Sequence, residues 1–141
     1  MQRLLLLSMF VIAFCANGFS QEVRPQNSPC ASFPCVVASV SLINQTQGVN
    51  QVPIYTPTTT GFYRVSYLEQ PGQLGVGLWT FTWNWTDDVK YETFGPYQLA
   101  PDSYFNAGIP GMRVLAGHPI TFTVTGHGGS YNLFASVEQL Q

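Results

Sequence analysis

Charge is what this sequence has least of. Asp, Glu, Lys and Arg together make up 9% of its 141 residues, well under half of the ~25% usual in globular chains. Lysine occurs once, at Lys90. A net charge of −2 argues against a protein that holds nucleic acid through many phosphate contacts, because that binding needs clustered cations. Histidine is nearly as scarce, with His118 and His127 the only two. One precedes Pro119 and the other sits in the turn Gly126-His127-Gly128-Gly129. With no His-x-x-x-His or Glu-x-x-His spacing, loop histidines are a better reading than a metal site. No phosphate loop, dinucleotide fingerprint or G-x-S-x-G elbow is present. His127-Gly128-Gly129-Ser130 resembles an esterase oxyanion loop, but no helical pattern follows it. Neither an enzymatic activity nor a cofactor is expected.

Long apolar runs are confined to the beginning. Met1-Gln2-Arg3 is a short positive start, Leu4 to Cys15 is apolar, and Ala16 to Ser20 is small and polar apart from Phe19. This three-part pattern marks residues 1–20 as a secretory signal peptide, with cleavage after Ser20 or after Gly18. The run is shorter than the ~20 apolar residues of a membrane span, and no later stretch approaches it. The mature chain is expected in the periplasm, at the cell surface or outside the cell. Ile12-Ala13-Phe14-Cys15 has the outline of a lipidation site, but such a site needs a small residue where Phe14 stands. Removing the leader leaves 141 − 20 = 121 residues, enough for one domain with a sizeable core. Its formal charge is 4 − 7 = −3.

Cysteine is also sparse. Cys15 lies in the leader, which leaves Cys30 and Cys35. In an exported chain a single pairing is open to them, and a Cys30–Cys35 disulfide is predicted. It closes a short turn, so chain entropy contributes only about 2 kcal/mol. The spacing is not CxxC and no further ligands follow, which disfavours zinc or redox chemistry.

Extended chain dominates what is there. Residues 21–35, with Pro25, Pro29 and Pro34, read as an extended arm that carries the disulfide turn. Residues 36–141 read as one β-domain. Val36 to Ile43 is a β-branched run; Gln51 to Tyr55 is a strand candidate weakened by Pro53; Tyr63, Val65 and Tyr67 alternate with Arg64 and Ser66. Val89 to Phe94, Met112 to Ala116, Ile120 to Val124 and Tyr131 to Leu140 complete the set, while Gly95 to Gly111, with three prolines, reads as irregular. No amphipathic helix appears outside the leader. The fold class expected is all-β: an antiparallel, jelly-roll-like sandwich of about seven or eight strands.

The clearest element is Trp79, Phe81, Trp83 and Trp85 alternating with Thr80, Thr82, Asn84 and Thr86. A period of two gives a strand with one aromatic and one polar face. Four such rings carry about 600–1,000 Å², more than the ~300–600 Å² of a typical largest exposed patch. The aromatic face must therefore be covered. The half-buried pattern favours a second sheet as the cover, with a glycan platform or a subunit interface as the alternatives. Threonine recurs at Thr121, Thr123 and Thr125, where its branched side chain suits outward strand positions. Asp87-Asp88, with Glu92, has the composition of a calcium site, but carboxylates at a hairpin turn more often cap backbone groups. Asn44-Gln45-Thr46 and Asn84-Trp85-Thr86 are glycosylation sequons, accessible if the aromatic face points inward.

Ile54-Tyr55-Thr56-Pro57-Thr58-Thr59-Thr60-Gly61-Phe62-Tyr63-Arg64-Val65-Ser66, then Trp85-Thr86-Asp87-Asp88, then the closing Gly129-Ser130-Tyr131-Asn132-Leu133-Phe134 through Val137-Glu138-Gln139-Leu140 together resemble a loose group of uncharacterised small β-rich proteins of environmental bacteria and phage. The Gly-x-Tyr stretch also resembles the trimeric jelly rolls of complement and tumour-necrosis-factor type. The phage members imply virion or surface structural roles, while the leader and the Cys30/Cys35 arm favour a cell-exported protein. No activity or catalytic residue follows from either likeness.

Low charge and strand edges without charged guards suggest self-association. The lead expectation is a secreted, non-enzymatic structural or surface subunit that forms homo-oligomers or polymers. The alternative is a carbohydrate-binding module that presents Tyr91, Tyr97 and Tyr104 from loops, with Asp87 and Asp88 as hydrogen-bonding partners. A glycan is then the second partner class, beside the chain itself.

Overall fold

The computed structural model describes residues 21–25, 30–74, 77–99 and 104–141; the expected leader and Cys15 lie outside the described residues. Nine strands follow one another: β1 (Gln21–Pro25), β2 (Cys35–Gln45), β3 (Val49–Tyr55), β4 (Gly61–Pro71), β5 (Leu78–Thr86), β6 (Tyr91–Leu99), β7 (Phe105–Val114), β8 (Ile120–His127) and β9 (Tyr131–Gln139). They form a five-stranded sheet in the order β1-β2-β9-β4-β7 and a four-stranded sheet in the order β3-β8-β5-β6. Every pairing is antiparallel. From β2 onward the chain changes sheet at each connection except the β5–β6 hairpin, so eight strands interleave as a jelly roll and β1 is added at one edge. Among the described residues no helix is long and apolar enough to cross a membrane.

The tryptophan strand organises the interior. Trp79, Phe81 and Trp83 are 0–1% exposed and point at the five-stranded sheet. Trp79 packs on Tyr131 with ring centroids 4.7 Å apart, Phe81 meets the same tyrosine edge-on at 5.5 Å, and Trp83 packs on Tyr67 at 5.2 Å. Of the covering partners considered, the opposite sheet is the one found. Trp85, near the strand end, is only half-buried against this core.

Two segments differ from the sequence reading. The arm is not free: Gln21 to Pro25 pairs with Leu42 to Ala38 as an edge strand. The stretch expected to be irregular supplies the end of β6 and most of β7. The prolines that argued against strands are tolerated for a topological reason. Pro25, Pro53, Pro96 and Pro110 lie on β1, β3, β6 and β7, and these are the four edges of the two sheets. An edge strand needs ladder N–H groups on one side only, so a proline can face the open side. Cys30 and Cys35 are disulfide-bonded as expected, with Cα atoms 6.0 Å apart.

One end of the sandwich is tightly closed. A Cβ on Gly77 would collide with the Gly128 carbonyl and with Nε1 of Trp79. Gly77→Ala is expected to lower the unfolding free energy by more than about 2 kcal/mol, and Gly111→Ala, with nothing within 4 Å of its added carbon, by less than about 0.5 kcal/mol. Trp83→Ala is expected to cost about 3–5 kcal/mol. Urea midpoints of the three variants test this ranking.

Candidate functional site: a groove across the five-stranded sheet

Side chains alternate across a strand, so the strands that bury Val40, Leu42, Val65, Tyr67, Leu133 and Ala135 turn the residues between them outward. The register lines these up into rungs. One rung runs Arg24–Ser39–Ser136–Ser66–Gly108, and the next runs Glu22–Ser41–Phe134–Leu68–Asn106. Serine and glycine are small, so the first rung is a low floor. All of these residues except Gly108 line a shallow, widely open groove of about 540 Å³. Its wall on β1 is Arg24 and Glu22, whose side chains meet at 2.6 Å. That hydrogen bond holds the Glu22 carboxyl below the usual range. Phe134 and Leu68 are half-buried and supply an apolar surface between hydroxyls. A third rung, Val36–Glu138–Arg64, carries an ion pair with Arg64 Nε 2.9 Å from Glu138 Oε2. All three rungs carry charge, and each cation has an anion beside it: Arg24 of the first rung meets Glu22 of the second, and Arg64 meets Glu138 within the third, so the groove presents hydroxyls, an amide and a ring with little net charge.

The residues singled out from the sequence are placed elsewhere. Asp87 caps its turn: Oδ1 accepts hydrogen bonds from the backbone N–H of Lys90 at 2.9 Å and of Val89 at 2.7 Å, and these bonds hold its carboxyl low. Asp88 is paired with Arg113. The capping role weighed for this turn is therefore the one observed. No cluster of three or more His, Cys, Asp or Glu suited to a metal occurs among the described residues. Tyr91 and Tyr104 are exposed. Neither Tyr91 nor Tyr97 is a loop residue: both lie in β6, and Tyr97 is half-buried, stacked on Phe105 at 5.6 Å and against Phe94 at 5.0 Å. Tyr91 pairs with Thr86, and Tyr97 with Phe81, so six strand positions, roughly 20 Å, separate them. The three tyrosines form no common platform. Asn84 faces outward yet is 6% exposed, flanked by Thr93 and Thr121 on the neighbouring strands and accepting from the Thr93 hydroxyl at 3.1 Å; the accessibility expected of this sequon does not hold. Asn44 is half-buried and accepts from the Gln73 N–H at 2.8 Å.

No protein-family model and no curated protein matches the chain. Among solved structures it is similar to a carbohydrate-binding module from Cellvibrio mixtus lichenase 5A in complex with cellotriose, with 17% identity, 89% of each chain covered and a TM-score of 0.34. It is also similar to the N-terminal CBM22-1–GH10 modules of Clostridium thermocellum xylanase 10B complexed with xylohexaose, with 10% identity and a TM-score of 0.38. That second match covers 74% of this chain and 22% of the xylanase chain. Neither likeness transfers a residue or a ligand.

Sequence reasoning missed the groove and also missed Glu69, although the phase of Tyr63, Val65 and Tyr67 points Glu69 inward as well. Glu69 is fully buried, and neither carboxyl oxygen has a partner; the Tyr67 hydroxyl and the indole N–H groups of Trp79 and Trp83 are also unpartnered. Burial alone pushes the Glu69 carboxyl up from 4.5 to about 8. It pushes the Tyr67 phenol upward too, with the nearby carboxylate adding to the effect. The folded chain therefore holds a proton that the unfolded chain releases near pH 4.5. Stability from this group is complete below that value and declines as pH rises through about 8, by up to about 4–5 kcal/mol. Glu69→Gln is expected to flatten the decline, read from urea midpoints at pH 5, 7 and 9; an unchanged slope overturns the assignment.

Proposed function

We propose that this chain is a secreted, non-enzymatic glycan-binding β-sandwich whose binding site is the groove across the five-stranded sheet. The observation that carries the reading is the alignment of Ser39, Ser136 and Ser66 in one rung beside Phe134 and Leu68 in the next. A sugar chain offers hydroxyl edges and an apolar ring face. Serine hydroxyls and the Asn106 amide both donate and accept, which suits the edges, while Phe134 and Leu68 offer area to the face. Binding sites of this kind combine apolar lining with a few convergent polar groups. The pairing of Arg24 with Glu22 favours a neutral chain over a polyanion.

Self-association rested on strand edges free of charged guards. The proline on each edge strand weakens that basis, because an edge with a missing N–H is a poor template for a further strand. The groove is therefore the better-supported reading. A glycan array followed by calorimetric titration of the mature protein tests it. Phe134→Ala is expected to weaken binding about tenfold or more, and Ser136→Tyr to fill the floor and abolish it, both with unchanged folding. A wild-type protein that binds no glycan, and that light scattering shows to be oligomeric, would return the structural-subunit reading to first place.

A further inference from the structure

The side chains that line the groove differ in what their hydrogen bonds can do. Ser39, Ser41, Ser66 and Ser136 each carry a hydroxyl that turns to donate or to accept, and the Asn106 amide offers both kinds of group. Such groups hold a sugar whichever way its hydroxyls point. Arg24 and Glu22 are of another kind: a guanidinium only donates and a carboxylate only accepts. Among the described residues they are the only charged side chains that line the groove. They therefore impose a hydrogen-bonding direction that the serines and the amide do not.

Their placement joins the two rungs at one end. Glu22 and Arg24 stand two positions apart on β1 and share its outward face, while Val23 between them packs against the core. Arg24 is aligned with Ser39 and Glu22 with Ser41, one strand spacing of about 4.8 Å away. The pair meets through Arg24 Nε and Glu22 Oε1 at 2.6 Å, and both side chains are more than half exposed. That bond uses one donor and one acceptor oxygen. It leaves the Nη N–H groups and Glu22 Oε2 for a ligand.

A sugar matches this donor–acceptor order where two neighbouring ring carbons keep free hydroxyls. The first hydroxyl accepts from an Arg24 Nη and donates to the second; the second donates to Glu22 Oε2. Every bond of this relay runs in one sense, and hydrogen bonds chained in this way strengthen one another. Interior rings of a 1,4-linked chain keep the hydroxyls on C2 and C3. In a 1,3-linked chain the linkage oxygen takes the C3 position, where it can accept but not donate, and the relay is interrupted. Phe134 lies two strands from β1, about 9–10 Å, so the ring that rests on Phe134 and the ring that meets the pair are different units of one chain.

We propose that Arg24 and Glu22 are the specificity-determining pair of the groove: together they bind the two hydroxyls of a vicinal diol and select 1,4-linked over 1,3-linked neutral glycans. The proposal rests on the glycan reading of the groove, in which Phe134, Leu68 and the serines supply contacts that both linkages share.

Calorimetric titration of the mature protein with a soluble 1,4-linked glucomannan and a soluble 1,3-linked glucan of similar length tests it; in long polymers the chain ends, which keep extra hydroxyls, are few. The wild-type protein is expected to bind the 1,4-linked polymer about tenfold or more tightly than the other. Arg24→Gln and Glu22→Gln should each erase that preference, lowering the affinity for the 1,4-linked polymer while the affinity for the 1,3-linked one stays within about twofold, with near-UV circular dichroism unchanged. Phe134→Ala should weaken binding of both polymers. An equal or reversed preference in the wild-type protein overturns the proposal and leaves the groove reading in place. An equal loss for both polymers in the Arg24 and Glu22 variants does the same, since the pair would then only brace β1. Binding to neither polymer also overturns it, and the glycan array then decides the groove reading separately.

Discussion

Everything in this fold depends on hiding one row of rings. Trp79, Phe81 and Trp83 occupy successive inward positions of β5, and the five-stranded sheet meets them with Tyr131 and Tyr67. Burying aromatic area of this size is the largest favourable contribution that any one strand of the chain can make. It requires a second layer, and the second layer must come from strands distant in sequence. The jelly-roll crossing of the chain between sheets is the consequence, since each successive strand has one face to bury and one to leave in water.

Fixing the inner faces also fixes the outer ones. With Tyr67 and Ala135 turned inward, Ser66, Ser136 and Phe134 are turned outward and brought side by side. With Phe81 and Val124 inward, Thr80, Thr82, Thr123 and Thr125 are set in opposed pairs. The two exteriors have opposite characters. One is a trough with a wall of paired charges and an apolar ring; the other is an uncharged ladder. In a chain so poor in charge, these arrangements of hydroxyl groups are the main source of chemical pattern on the surface.

The interior is not wholly apolar. Glu69 and three ring donors lie within the core without partners, each at a cost of about 1–3 kcal/mol when unsatisfied. Keeping Glu69 protonated lowers that cost, which ties the stability of the sandwich to pH. At the periphery a proline stands on each of the four edge strands. In a protein with few charges to guard its edges, removing ladder donors does the same work.

Much of this was legible in the chain alone. Alternation with a period of two identified β4, β5 and β8 and the inward aromatic row, because a side chain's face depends only on its parity along the strand. Cys30 and Cys35, the only cysteines beyond residue 20, had one pairing open to them. The edge strands were not legible: Pro96 and Pro110 spoke against β6 and β7, and only the structure shows both strands at sheet edges with the two prolines at register shifts where the ladder is interrupted. Glu69 followed the inward parity but broke the rule that carboxylates face water. The groove lay further out of reach, because it joins residues of five strands whose relative register is set by packing between sheets. Parity along one strand is a local property and is written in the sequence; which rungs of different strands lie side by side is decided only when the two layers close on each other.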